Sequence, residues 1–215
     1  MTASVPALDL ASLLCSRLCH DLLSPVGALS NGLELLTEEQ DPEMRQRCFE
    51  LLEQSAKASA DKLKFFRLAF GAAGGFGDTV PVNEARALVD ALAGSNGRVA
   101  VNWMFGVDAL PKPAVKTLLN LALIGLDALV RGGTLDIGAE ANSGAIEIVV
   151  RAAGQRVAFD QAVGQALEGT LPPAELSSRT APAAMVQQLA ASVGGGVQVH
   201  VTAESLVMGA VLPVA

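Results

Sequence analysis

The chain is short of basic clusters, of long apolar runs and of cysteine, and each shortage excludes something. Fifteen Lys and Arg stand against 22 Asp and Glu, for a formal net charge of −7. The basic residues never group into the phosphate-neutralising surface on which direct nucleic-acid binding relies, so DNA and RNA are set aside as partners. The longest apolar stretch, Leu118 to Val130, is broken by Asn120 and Asp127 and falls short of the roughly 20 residues a spanning helix needs. The positive mean hydropathy of +0.41 therefore has to be satisfied by burial within protein. No basic segment precedes an apolar run at the N-terminus, so no secretory leader is expected and a cytosolic location follows. Cys15, Cys19 and Cys48 are odd in number and fall on expected helices, which suits reduced thiols better than a disulfide framework.

What is present is apolar and periodic. With 215 residues, 51% of them hydrophobic, the chain can bury one large core or two small ones. From Ala7 to Leu36, Leu10, Leu14, Leu18, Leu22, Val26, Leu29, Leu33 and Leu36 recur at spacings of three and four, the period of an amphipathic helix. Pro25 lies inside that helix and is expected to bend it one turn after His20. Asp41-Pro42 reads as an N-cap followed by proline at the first helical position. The stripe Phe49, Leu52, Ala56, Ala60, Leu63, Phe66 and Phe70 then runs on to Gly71. Such a hairpin cannot enclose both of its stripes, and pairing with a second copy would complete a four-helix bundle.

The glycine-rich run GAAGGFGDT, residues 71–79, reads as a linker. The division is a helical hairpin over 1–72, a linker over 73–80 and a sandwich over 81–215. Within the last unit, helices are expected at 82–93, 113–130, near 158–167 and at 181–192. Strands are expected at 98–104, 134–140, 145–151, 196–202 and 205–212, with a turn at Asn142-Ser143-Gly144. The fold class is α+β, with helices on one face of a sheet.

The residues that carry chemistry are His20-Asp21-Leu22-Leu23-Ser24-Pro25. His20 falls off the leucine stripe, so its ring projects from the bundle. Histidine, with an unperturbed pKa of about 6.5, keeps one ring nitrogen free to attack at neutral pH while a carboxylate holds the other as N–H; Asp21 is placed for that. A lone histidine on a helix is most often a solvated surface residue. Here the order His-Asp-x-x-Ser-Pro on a leucine-striped helix resembles the phosphoacceptor box of dimeric sensor histidine kinases.

The remainder of the chain resembles the ATP-binding domain of those kinases with its working parts missing. Residues 118–129 look like the N-box helix, with Asn120 at the first asparagine position and Ile124 at the second, where an isoleucine offers no oxygen to magnesium. The strand Ile146 to Arg151 leads into Ala152-Ala153-Gly154-Gln155-Arg156, where the family places an Asp-x-Gly-x-Gly turn and only Gly154 survives. Thr180-Ala181-Pro182-Ala183-Ala184-Met185 stands where a glycine-rich phosphate cradle is expected, and Pro182 has no N–H to donate. The three losses argue that ATP is neither bound nor used. A histidine-acceptor hairpin joined to a degenerate, kinase-like sandwich is similar to the ChpT-type histidine phosphotransferases of bacterial cell-cycle phosphorelays, over the whole chain.

That resemblance implies a homodimer that takes phosphate from the receiver domain of a hybrid kinase and passes it to response regulators of the CtrA and CpdR kind. His20 is the acceptor and Asp21 its orienting carboxylate. No cofactor or metal is expected on this chain, since Mg²⁺ belongs to the receiver. The docking face around His20, read at helical spacings, is Leu13, Ser16, Arg17, Leu23, Ser24 and Gly27. Two other readings share His20 or the fold: an autophosphorylating kinase, and a non-catalytic adaptor. Cys15 and Cys19 share a face at i, i+4 but supply only two metal ligands, so they read as small buried hydrophobes. His200 alternates with Gln198 on the polar face of a strand, and Trp103 reads as core rather than a ligand stack. Asn120 is assigned to packing or helix hydrogen bonding.

Overall fold

A computed structural model describes residues 6–71, 77–94 and 97–214. The chain opens with two long helices, α1 (Ala7–Glu38) and α2 (Pro42–Ala69). Asp41 caps α2 through its carboxylate, which accepts from the Met44 amide at 2.9 Å. Arg45 reaches back across the turn to donate to the Leu36 and Glu39 carbonyls, at 2.8 and 2.9 Å. These are among the carbonyls that the end of α1 leaves without helical donors. Gly32 sets the spacing between the helices, because a Cβ there would meet Leu52 Cδ2 at 2.9 Å.

The rest of the chain runs β1 (Thr79–Pro81), α3 (Val82–Gly94), β2 (Val99–Phe105), β3 (Ala109–Pro111), α4 (Lys112–Ala128), β4 (Gly133–Asn142) and β5 (Ala145–Ala153). It closes with α5 (Gln161–Glu168), a single 3₁₀ turn, α6 (Ala181–Ser192), β6 (Gly196–Val201) and β7 (Ser205–Pro213). Five strands form a mixed sheet in the order β2-β4-β5-β7-β6. β2 and β4 are parallel and the other neighbours antiparallel. Alternation puts Leu135, Ile137, Ile148, Val150, Leu206 and Met208 on one face. All of them are buried beneath the helices. Gly125 lets α4 lie close on that face, since a Cβ there would meet Leu135 Cδ1 at 2.6 Å. The β4–β5 hairpin turns through Ser143 and Gly144, both at positive φ, the pairing a two-residue primed turn demands.

Several boundaries differ from the sequence reading. β1 and β3 pair as a separate two-stranded ladder, which strands of three residues are too short to announce by periodicity. Thr79 and Val80, read as linker, lie in β1, and Val80 is fully buried. Residues 73–76 of that expected linker lie outside the described residues. α4 stops at Ala128, ahead of Gly132 and Gly133 at positive φ. α5 starts at Gln161, where Asp160 caps the Ala162 amide. The last turns of α2 belong to the sandwich: Phe65, Phe66, Leu68 and Ala69 join one continuous core with Leu118, Leu135 and Leu206. Buried Asn120 reinforces that joint by donating to the carbonyls of Ala69 and Lys116, at 3.2 and 2.8 Å.

Candidate functional site

His20 sits in the middle of α1 with 80% of its side chain exposed. Its Nδ1 lies 3.1 Å from Asp21 Oδ1, so the tautomer protonated at Nδ1 donates to that carboxylate. The other oxygen, Asp21 Oδ2, accepts from Arg17 Nε at 2.8 Å, one helical turn earlier. Arg17 Nη2 in turn donates to Asp127 Oδ2 at 2.7 Å, on the last turn of α4. A chain of charged groups thus runs from the exposed imidazole to the sandwich.

Proline at position 25 has a second effect on this site. It has no N–H to give to the carbonyl four residues back, which is that of Asp21. Lys62 Nζ, from α2, donates to this carbonyl at 2.7 Å. Asp21 is therefore held from three sides: by α1 through Arg17, by α2 through Lys62, and by the His20 ring. Burial works to lower the Arg17 pKa, but the adjacent Asp127 and Asp21 carboxylates outweigh it and hold it above the ordinary arginine value. About half of the Asp127 side chain reaches solvent, yet the protein packed around it pushes its carboxyl up, against the pull of Arg17.

Among the expected docking residues, Ser16, Leu23 and Ser24 are exposed, Leu23 by 70%. Gly27 has nothing within 4 Å of the position a Cβ would take. Arg17 is different, because it is buried and turned inward. Its assignment to an open docking face is corrected: three residues before His20 on a helix is the side that meets α4. Leu13 is only half-buried and packs beside the cluster of Leu10, Leu14, Ala181, Ala184 and Met185. In that cluster the first turns of α6, where a kinase would cradle phosphates, are covered by α1.

Sequence reasoning missed Lys62 and Asp127. Pro25 reads there only as a bend; the carbonyl it frees, that of Asp21, was a signal for Lys62 that went unused. Trp103 packs against the sandwich core and donates from Nε1 to Asp90 at 2.9 Å. His200 is exposed as expected, but Cys15 and Cys19, read as small buried hydrophobes, are exposed as well, because nothing among the described residues covers their side of α1. No group of three metal-ligating side chains occurs among the described residues, and none of the described helices is long and apolar enough to cross a membrane.

An exposed histidine held by a carboxylate on one helix, ahead of a sheet covered by helices, suits a class of phosphotransferases, and comparison with known proteins agrees with it. Residues 82–205 match the family model of the histidine phosphotransferase C-terminal domain. The chain belongs to the histidine phosphotransferases. It is 34% identical over 210 residues to protein phosphotransferase ChpT of Brucella abortus strain 2308, covering 98% of this chain and 99% of that one. A solved structure of a bacterial phosphotransferase superposes at a TM-score of 0.84 with 32% identity, covering 98% of this chain and 99% of the other. The chain is thus a phosphotransferase of two-component signalling, acting between receiver and response-regulator domains.

Proposed function

We propose that His20 is the residue that carries the phosphoryl group, accepting it from the aspartyl phosphate of a hybrid kinase's receiver and yielding it to the aspartate of a second receiver. The observation that carries this is the exposed ring whose Nδ1 is engaged by Asp21. That arrangement leaves Nε2 as the nucleophile. Nε2 attacks phosphorus in line, and the receiver's aspartate departs as a carboxylate, which needs no proton. The Nδ1 proton stays on the ring and Asp21 offsets the positive charge that develops there. Transfer onward is the same step reversed.

The working form is a cytoplasmic homodimer. In the single chain Val26, Leu33, Phe49 and Leu63 leave about half of their surface uncovered, and a second hairpin would cover such a seam in a four-helix bundle. ATP and metal have no part on this chain. In support, Ile124 and Pro182 occupy positions that need an oxygen and an N–H, and Leu10 and Leu14 lie against Ala181, Ala184 and Met185. Mg²⁺ is a constituent of the receiver, and the receivers served are of the CtrA and CpdR kind.

The test is label transfer from a phosphorylated receiver as the sole phosphate source. His20→Ala is expected to abolish labelling with the fold intact; a variant that still relays phosphate would remove His20 from the mechanism. Labelling from ATP alone would instead favour an autophosphorylating kinase.

A further inference from the structure

The chain of charges behind His20 ends outside the hairpin, and its geometry has a consequence for the transfer step. Asp21 offers one oxygen to the imidazole and the other to Arg17. A carboxylate on a flexible stem rotates unless its second oxygen is fixed. Arg17 fixes it, and Arg17 is itself fixed by Asp127 from α4. The guanidinium suits this because its donors leave a rigid plane in different directions, Nε toward Asp21 and Nη2 toward Asp127. A lysine in its place would carry the charge but could not hold both carboxylates at set angles. Only 11% of the Arg17 side chain and 16% of Asp21 are exposed, so water competes weakly for the bond between them, whereas Asp127, 48% exposed, meets Arg17 at the edge of solvent.

We propose that Arg17 and Asp127 are positioning residues for phosphoryl transfer: Asp127, on the sandwich, acts through Arg17 to set the Asp21 carboxylate that keeps the His20 proton on Nδ1 and Nε2 free. The sandwich is thereby a working part of the acceptor site, contributing a carboxylate in addition to any surface it lends to a partner. It also explains why α4, which in a kinase would face nucleotide, has its last turn engaged with α1. This inference rests on His20 being the acceptor.

The experiment uses the full chain and a receiver domain charged with labelled acetyl phosphate, in single turnovers at rising receiver concentration. Asp127→Ala is expected to lower the saturating rate on the order of tenfold to a hundredfold, as loss of alignment does, while leaving the half-saturating concentration unchanged. Arg17→Lys is expected to match it. Asp127→Asn, whose amide oxygen still accepts from Arg17, should keep most of the rate and serves if the alanine variant does not fold. The decisive arm is the double variant. If Asp127 acts through Asp21, Asp127→Ala adds no further loss in an Asp21→Ala background.

A second readout is independent of transfer. Nitrogen chemical shifts of the His20 ring should report mainly the Nδ1–H tautomer in the parent chain and a larger Nε2–H fraction in Asp127→Ala. An unchanged saturating rate, a loss confined to the half-saturating concentration, full additivity with Asp21→Ala, or an unmoved tautomer ratio would each overturn the proposal. His20→Ala run alongside keeps the two ideas apart. Transfer surviving in that variant removes the acceptor, whereas a dead His20→Ala beside an unaffected Asp127→Ala removes only the positioning role.

Discussion

Leu118, Leu135 and Leu206 in the sandwich have no exposed surface, whereas Leu33, Phe49 and Leu63 in the hairpin are 58, 52 and 48% exposed. Both regions carry large apolar residues at regular spacing, so a periodic apolar pattern does not by itself distinguish them. The difference is geometric. A sheet covered by helices on one face closes its own core. A pair of antiparallel helices leaves one side of its seam open, which is why a second hairpin is proposed to complete it. The sandwich is finished by its own chain, and in the proposed dimer the hairpin would be finished by a second one. His20 stands on the unfinished half, anchored to the finished half by Arg17 and Asp127.

Three substitutions break or sharpen that contrast, the largest effect first. Phe65→Ala removes a fully buried ring at the point where α2 enters the sandwich core. It is expected to cost about 3–5 kcal/mol, as other buried phenylalanines do. Chemical denaturation measures this, and a loss below about 1 kcal/mol would mean that the core does not extend into α2 as described. Leu33→Asp attacks the open seam instead. It should leave the sandwich folded while placing an unpaired charge in the interface between copies, so the mass by light scattering falls to that of one chain. A variant that remains dimeric places the seam elsewhere.

The smallest structural change has the most selective expected effect. At Gly27 an added Cβ meets no neighbour in this chain, and Gly27→Leu replaces a poor helix former with a good one, a gain of up to about 1 kcal/mol. Lying two turns beyond His20, the new side chain should obstruct an approaching receiver. Transfer is then expected to need a several-fold higher receiver concentration while the melting temperature holds or rises. Equal transfer at low receiver concentration would show that the partner approaches from another side of α1.

The candidate acceptor and its neighbour were legible in the sequence because both sit in one short motif on one helix, where periodicity alone says which residues project. The element order of the sandwich, apart from the three-residue strands β1 and β3, was legible for the same reason, from alternation in the strands and the longer period in the helices. Arg17 shows where that reasoning stops. Helical spacing correctly put it one turn from His20, on the same flank, and so it was read as open surface. Whether a flank is open depends on what the rest of the chain lays against it, and here that is α4, more than a hundred residues later in the sequence.

The sequence by itself determined the helical hairpin, the position of His20 on it with Asp21 alongside, and the alternation that makes the sheet. These follow from local steric and hydrogen-bonding preferences and from periods of two and 3.6 residues. Tertiary structure alone decided that α2 ends inside the sandwich core, that Lys62 answers the carbonyl freed by Pro25, and that Asp127 reaches Arg17 at 2.7 Å. Those contacts join residues far apart along the chain. No local pattern encodes them, because their energy arises only once the apolar faces have packed and brought the charged groups within hydrogen-bonding distance.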